Sequence, residues 1–156
     1  MNLTFSDEFI IIFSVLKEGE QMSWKDRFRE RAKLRENIGK KAREAEQQRI
    51  AEFREIDKIY GRRIARVCFE FSKTFGWHYL SSDSSVNPEG PRYFHITGSS
   101  YGRDNEYGDS IEVMLDKSGV FIKEVHCGFD GRWEKKQEIS FNEFTEDKLA
   151  QILLEI

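Results

Sequence analysis

Apolar residues recur at Phe53, Ile56, Tyr60, Ile64, Val67, Phe71 and Phe75, in steps of three and four that draw one stripe down an α-helix. A helix with such a stripe is expected to lie against a body and bury it. Gly61 weakens helix propensity without breaking the stripe, which leaves either a slight bend or a short break between two helices. Upstream, Trp24 to about Tyr60 holds no Pro and one Gly and is dense in Ala, Arg, Lys, Glu and Gln, so the pattern predicts one long helix. Ser23 marks its start, because the hydroxyl can accept an early orphan amide and Asp26, three residues on, suits the positive helix end. In this first half Phe28, Leu34, Ile38 and Ala42 keep no helical rhythm, so residues 24–49 are expected to extend from the body.

After Gly76 the period falls to that of a strand. Short strands are predicted over Trp77 to Leu80 and Arg92 to Thr97, separated by a polar loop from Ser81 to Gly90 that Pro88 and Pro91 close. A second polar loop, Gly98 to Gly108, leads into a meander of Ser110 to Leu115, Val120 to Val125 and Arg132 to Ser140. Its turns, Asp116-Lys117-Ser118-Gly119 and Asp130-Gly131, carry residues that tolerate positive φ. Thr145 caps a last helix, Glu146 to Ile156, whose Leu149, Ile152, Leu153 and Ile156 form an apolar face expected to cover the sheet. The fold class read from this order is α+β: a long basic N-terminal helix, a four- to five-stranded antiparallel meander, and a C-terminal helix packed on it.

One apolar run precedes all of this, Phe9 to Leu16, bounded by Asp7-Glu8 and Lys17-Glu18. Eight residues fall far short of the roughly 20 that a membrane span needs, and the run lacks the basic start and small-residue cleavage site of a secretory signal. Lys17-Glu18-Gly19 can be encoded by AAG-GAG-GGN, which contains a bacterial ribosome-binding sequence ahead of Met22. Translation is therefore expected to start at Met22, with residues 1–21 an extension upstream of the true start, or an optional edge strand where they are made. The expected organisation is then a basic helical arm over residues 22–60 and a single α+β domain over 61–156.

Charge sharpens that division. Residues 24–66 hold fifteen Lys or Arg against eight Asp or Glu, and residues 67–156 hold nine against sixteen, so an overall charge of −3 conceals a basic arm and an acidic body. Nine cations fall within 24–43: Lys25, Arg27, Arg29, Arg31, Lys33, Arg35, Lys40, Lys41 and Arg43, against Asp26, Glu30 and Glu36. On a helix they can lie along a phosphate backbone, where counterion release favours each contact and makes it salt-sensitive. These nine are the candidate nucleic-acid-binding residues. The competing reading is a solvated or self-associating helix whose charges are answered locally, as Arg27 with Glu30 or Lys33 with Glu36.

Other chemistry is sparse. Trp77, Tyr79, Tyr93, Tyr101, Tyr107, Phe121, Phe129 and Trp133 cluster in the sheet half, as its core or as platforms for unpaired bases. His126 adjoins Cys127, but neighbours on a strand point to opposite faces and do not converge on one metal. His78 and His95 stand without such neighbours. Cys68 and Cys127 have neither metal nor redox spacing and read as small apolar residues in a reducing cytoplasm. The loop with Arg103, Asp104, Asn105, Glu106 and Asp109 is long and polar but lacks the ligand spacing of a calcium loop. No elbow, phosphate loop or paired-carboxylate motif marks a catalytic centre, and no cofactor or metal is expected.

The order Gly76-Trp77-His78-Tyr79-Leu80-Ser81-Ser82, then Tyr93 to Ser99, then a polar loop before a meander, resembles a phage anti-CRISPR family that also has a basic N-terminal segment and a helix before its sheet. The resemblance covers about 35 residues. It implies an inhibitor of an RNA-guided nuclease and places no functional residue on this chain.

The expectation is therefore a non-enzymatic accessory protein of a bacterium, phage or mobile element. Its basic helix contacts nucleic acid or a nucleoprotein and its acidic body contacts a protein. The alternative is an interaction module that pairs with a second copy of itself and binds no nucleic acid. No membrane partner is expected.

Overall fold

A computed structural model describes residues 22–82, 85, 87–98, 108–128 and 131–156. The apolar run Phe9 to Leu16, with the rest of residues 1–21, lies outside these residues, as do Tyr101, Tyr107, Phe129 and the loop cluster of residues 103–106. The chain divides into two compact units, Met1–Arg43 and Glu44–Ile156.

Helix α1 runs from Trp24 to Ile56 and is followed by a π-helical turn, Asp57–Gly61, and by α2, Arg62–Phe75. Gly61 thus marks neither a break nor an ordinary bend. One residue is inserted into the helical ladder, and the widened turn makes room for an ion pair, Asp57 to Arg92 at 2.8 Å. A Cβ on Gly61 would overlap the Asp57 carboxylate and stand 2.8 Å from the Arg92 guanidinium. Gly76 ends α2 at φ 69°, a left-handed cap that lets the Trp77 amide donate to the Ser72 carbonyl at 2.8 Å.

Five strands follow in simple up-and-down order: β1 His78–Ser81, β2 Arg92–Thr97, β3 Gly108–Leu115, β4 Gly119–Gly128 and β5 Gly131–Ser140. All neighbours pair antiparallel, with Phe94 opposite Val113, Val113 opposite Ile122, and Val120 opposite Ile139. Strand alternation puts these residues with Ile96, Ile111 and Leu115 on one face, where all are buried. Phe53, Ile64 and Cys68 complete the core from the helices before the sheet. Leu149 and Leu153 complete it from the last helix, α3 Glu146–Leu154. Thr145 caps α3 by accepting from the Lys148 amide at 3.0 Å. Tyr60 stacks on Phe141 at 4.5 Å and meets Phe144 edge-on at 5.4 Å, tying the π-helical turn to the segment before α3.

The strand boundaries follow the sequence reading closely, with β4 three residues longer at its end because pairing with β5 continues to Gly128 and Gly131. No helix among the described residues is long and apolar enough to cross a membrane.

Candidate nucleic-acid interface

The first turn of α1 forms as its sequence dictates. Ser23 donates its hydroxyl proton to Asp26 at 2.7 Å, and the Asp26 and Arg27 amides donate to the Ser23 carbonyl at 3.0 and 3.1 Å. From there, lacking Pro and β-branched runs, the helix carries all nine candidate cations, and the side chain of each is exposed.

Local answering of these charges is limited. Arg29 meets Asp26 at 3.4 Å, Arg43 donates to the Gly39 carbonyl at 3.2 Å, and the Lys25 ammonium sits 5.4 Å from the Trp24 ring centre. Arg27, Arg31, Lys33, Arg35 and Lys41 have no ion-pair partner among the described residues. The pairs that spacing alone suggested, Arg27 with Glu30 and Lys33 with Glu36, do not form. Both place the base before the acid along the chain, the weaker order on a helix, whereas Asp26 precedes Arg29.

Three of the nine cations share one face of the helix with the two exposed rings. Trp24, Arg27, Phe28, Arg31 and Arg35 stand at i, i+3, i+4, i+7 and i+11, one continuous face. At 3.6 residues per turn, Asp26, Glu30 and Glu36 all lie more than about 100° from the middle of that face. Trp24 and Phe28 are 62% and 64% exposed, with ring centres 5.7 Å apart in an edge-on pair. The rhythm missing from the apolar residues of this segment is present once the arginines are counted with the aromatic rings. A sequence reading that scores only hydrophobicity passes over it.

The aromatic residues of the sheet half are divided. Trp77 and Tyr79 pack against the core, Tyr93 and Phe121 are half-buried on the opposite face, and Trp133 is 49% exposed. Cys68 is wholly buried, which pushes its thiol up to about 12, while Cys127 is half-buried.

One further polar group was not legible as such. On the helix-covered face of the sheet, the row Ile96, Ile111 ends in Glu124 and Lys135, and the next row holds Asp109, His126 and Trp133. The His126 Nδ1 bonds the Asp109 carboxylate, and its ring stacks on Trp133 at 5.5 Å. A recess of about 250 Å³ lies beside this pair, lined by His126, Gly128, Gly131, Arg132 and Trp133. Glu124 is 7% exposed, and its burial raises its carboxyl above the usual range, against the opposing pull of Lys135. Its signal in the sequence is the charge that interrupts the alternation Val120, Ile122, Glu124. An imidazole held by a carboxylate can accept a proton, yet among the described residues no nucleophile faces it. No three His, Cys, Asp or Glu side chains among them converge as a metal would need. His95 lies on the opposite face, 3.4 Å from Glu112.

The fold and this surface together define an α+β protein that presents a cationic, aromatic-edged helix in one unit and a helix-covered meander in the other. No protein-family model, curated protein or solved structure matches the chain.

Proposed function

We propose that this is an accessory binding protein whose helix α1 engages nucleic acid, alone or within a nucleoprotein, through Lys25, Arg27, Arg29, Arg31, Lys33, Arg35, Lys40, Lys41 and Arg43. The observation that carries the reading is the exposed face of Arg27, Arg31 and Arg35, which lacks both carboxylates and ion-pair partners among the described residues. The other six cations lie, like Asp26, Glu30 and Glu36, more than about 90° from the middle of that face, so these three arginines are the ones set apart from the carboxylates. Phosphates set along the face would supply the missing counter-charge. The acidic body, in turn, suits a protein partner. Inhibition of an RNA-guided nuclease is the most specific form of the reading and rests on the resemblance of residues 76–82 and 93–99 alone.

Binding of the protein to labelled oligonucleotides at low salt tests the proposal. Replacing Arg27, Arg29, Arg31 and Arg35 by Gln is expected to abolish binding while thermal unfolding stays unchanged, since all four side chains are exposed, and helical circular dichroism falls only by the small share owed to the Asp26 to Arg29 pair. Unchanged affinity in that variant would overturn it.

A second reading has its own observation. Leu34 and Ile38 are 41% and 47% exposed and flank the same face, so α1 has apolar surface to offer a second copy. Pairing there would set Arg31 and Arg35 of two copies near one another, a like-charge cost that phosphate binding avoids. Sedimentation at two concentrations separates the readings: a concentration-dependent dimer free of nucleic acid belongs to the second.

A further inference from the structure

Resting on the proposed nucleic-acid reading of α1, we infer that the partner is unpaired: Trp24 and Phe28 stack on the bases of a single strand while Arg27, Arg31 and Arg35 hold its phosphates. Cations alone do not distinguish a duplex from a single strand, because both offer phosphates. The rings do. Two aromatic side chains 62% and 64% exposed on α1 stand outside the buried core of the described residues, and they sit in the face that carries the arginines instead of apart from it. In a duplex the base faces are already stacked on one another, and two ring planes beside the backbone would find nothing to cover them. In an unpaired strand every base has an open face, and stacking on an aromatic side chain is favourable whatever the base.

The geometry suits this use. The edge-on arrangement of the two rings, 5.7 Å between centres, leaves the flat of one ring and the edge of the other accessible. The Lys25 ammonium, 5.4 Å from the Trp24 ring centre, places a cation beside the platform to meet the phosphate of a stacked nucleotide. From Trp24 to Arg35 the face extends about 16 Å along the axis, enough for a few nucleotides in sequence. The separation of carboxylates to the far side keeps the whole track free of repulsion.

The experiment compares single strands and duplexes of the same sequence, by fluorescence anisotropy at one low salt concentration, for the full chain and for two variants. W24A/F28A removes the rings, and W24L/F28L keeps apolar bulk without an aromatic face. Both are expected to weaken single-strand binding at least about tenfold while changing duplex binding by less than about twofold. Quenching of tryptophan fluorescence by the single strand should be strong in the parent and weak in W24F. If the parent binds and the variants lose nothing for single strands, or lose equally for duplexes, the inference fails while the reading of α1 as a nucleic-acid helix stands. If the parent binds neither form, the reading itself fails and takes the inference with it. Retention of full single-strand affinity by W24L/F28L alone would assign the contact to apolar burial and likewise overturn base stacking.

Discussion

Phe28 and Phe53 are the same residue on the same helix, and the first is 64% exposed while the second is wholly buried. Around Phe53 the helix is fixed by tertiary contacts: its ring lies under Gly90, and Arg49 one turn earlier bonds Glu89 at 2.8 Å. Around Phe28 the helix rests on propensity, the Ser23 cap and the Asp26 to Arg29 pair, which together stabilise it by about 1–2 kcal/mol. Most helical stability in proteins comes from tertiary packing, which only the second half has among the described residues, so the two halves have different reasons to exist. One half is held for the fold. The other is kept as surface, which the proposed reading assigns to a partner.

The most forceful way to test this contrast is to cut both rings back. Phe53→Ala should cost about 3–5 kcal/mol in denaturant unfolding, through lost burial and the cavity left behind, whereas Phe28→Ala should shift stability by no more than about 0.5 kcal/mol. Comparable losses at the two sites would mean that the first half of α1 is held by packing after all.

A smaller effect is expected at the π-helical turn that follows α1. Gly61→Ala places a methyl group against Asp57 and Arg92, whose side chains are 14% and 19% exposed, so the ion pair must open and the π-helical turn must shift. The expected cost is about 2 kcal/mol, below the range for a fully buried pair because some solvent reaches this one. An unchanged midpoint would show that the turn has slack.

Two glutamates of the body give the smallest and most discriminating effects, because their pKa values move in opposite directions. Burial raises Glu124. As pH rises through the ordinary carboxylate range the unfolded chain loses its proton first, so folding weakens until the folded group also ionises, and the penalty persists above that. Glu124→Gln should therefore stabilise the protein at neutral pH and leave it unchanged in acid below the ordinary range. Hydrogen bonds from Arg66, at 2.6 Å, and from Arg63, at 3.3 Å, lower Glu146. Its contribution is present above the ordinary range and is lost as pH falls toward the lowered value, so Glu146→Gln should destabilise at neutral pH, by less than about 1 kcal/mol for so open a pair, and not in strong acid. Unfolding midpoints across pH check both signs.

Much of the body was legible because its signals are local. The Phe53 to Phe75 stripe, the Asp116 to Gly119 turn and the Thr145 cap each fix an element within a few residues, and the meander follows from short turns between alternating strands. The π-helical turn was not legible, since the ion pair it accommodates joins Asp57 to Arg92, 35 residues away in sequence. Nor was the group of Asp109, Glu124, His126 and Trp133, which strand register alone assembles from three strands. On the arm the cations were plain from composition, and the alignment of Arg27, Arg31 and Arg35 with the two rings was hidden by treating arginine only as charge. Arg31 and Arg35 occupy stripe positions that would be apolar in a packed helix, and there the first half of α1 departs from a surface made for folding.

The salt dependence of oligonucleotide affinity, measured for the full chain and for R27Q/R31Q/R35Q, bears most directly on the central claim. The account predicts a linear fall of log affinity with log salt, and a slope shallower by about 2 in the triple variant as three phosphate contacts are lost. Affinity that ignores salt, or a slope that the three substitutions leave unchanged, would contradict it.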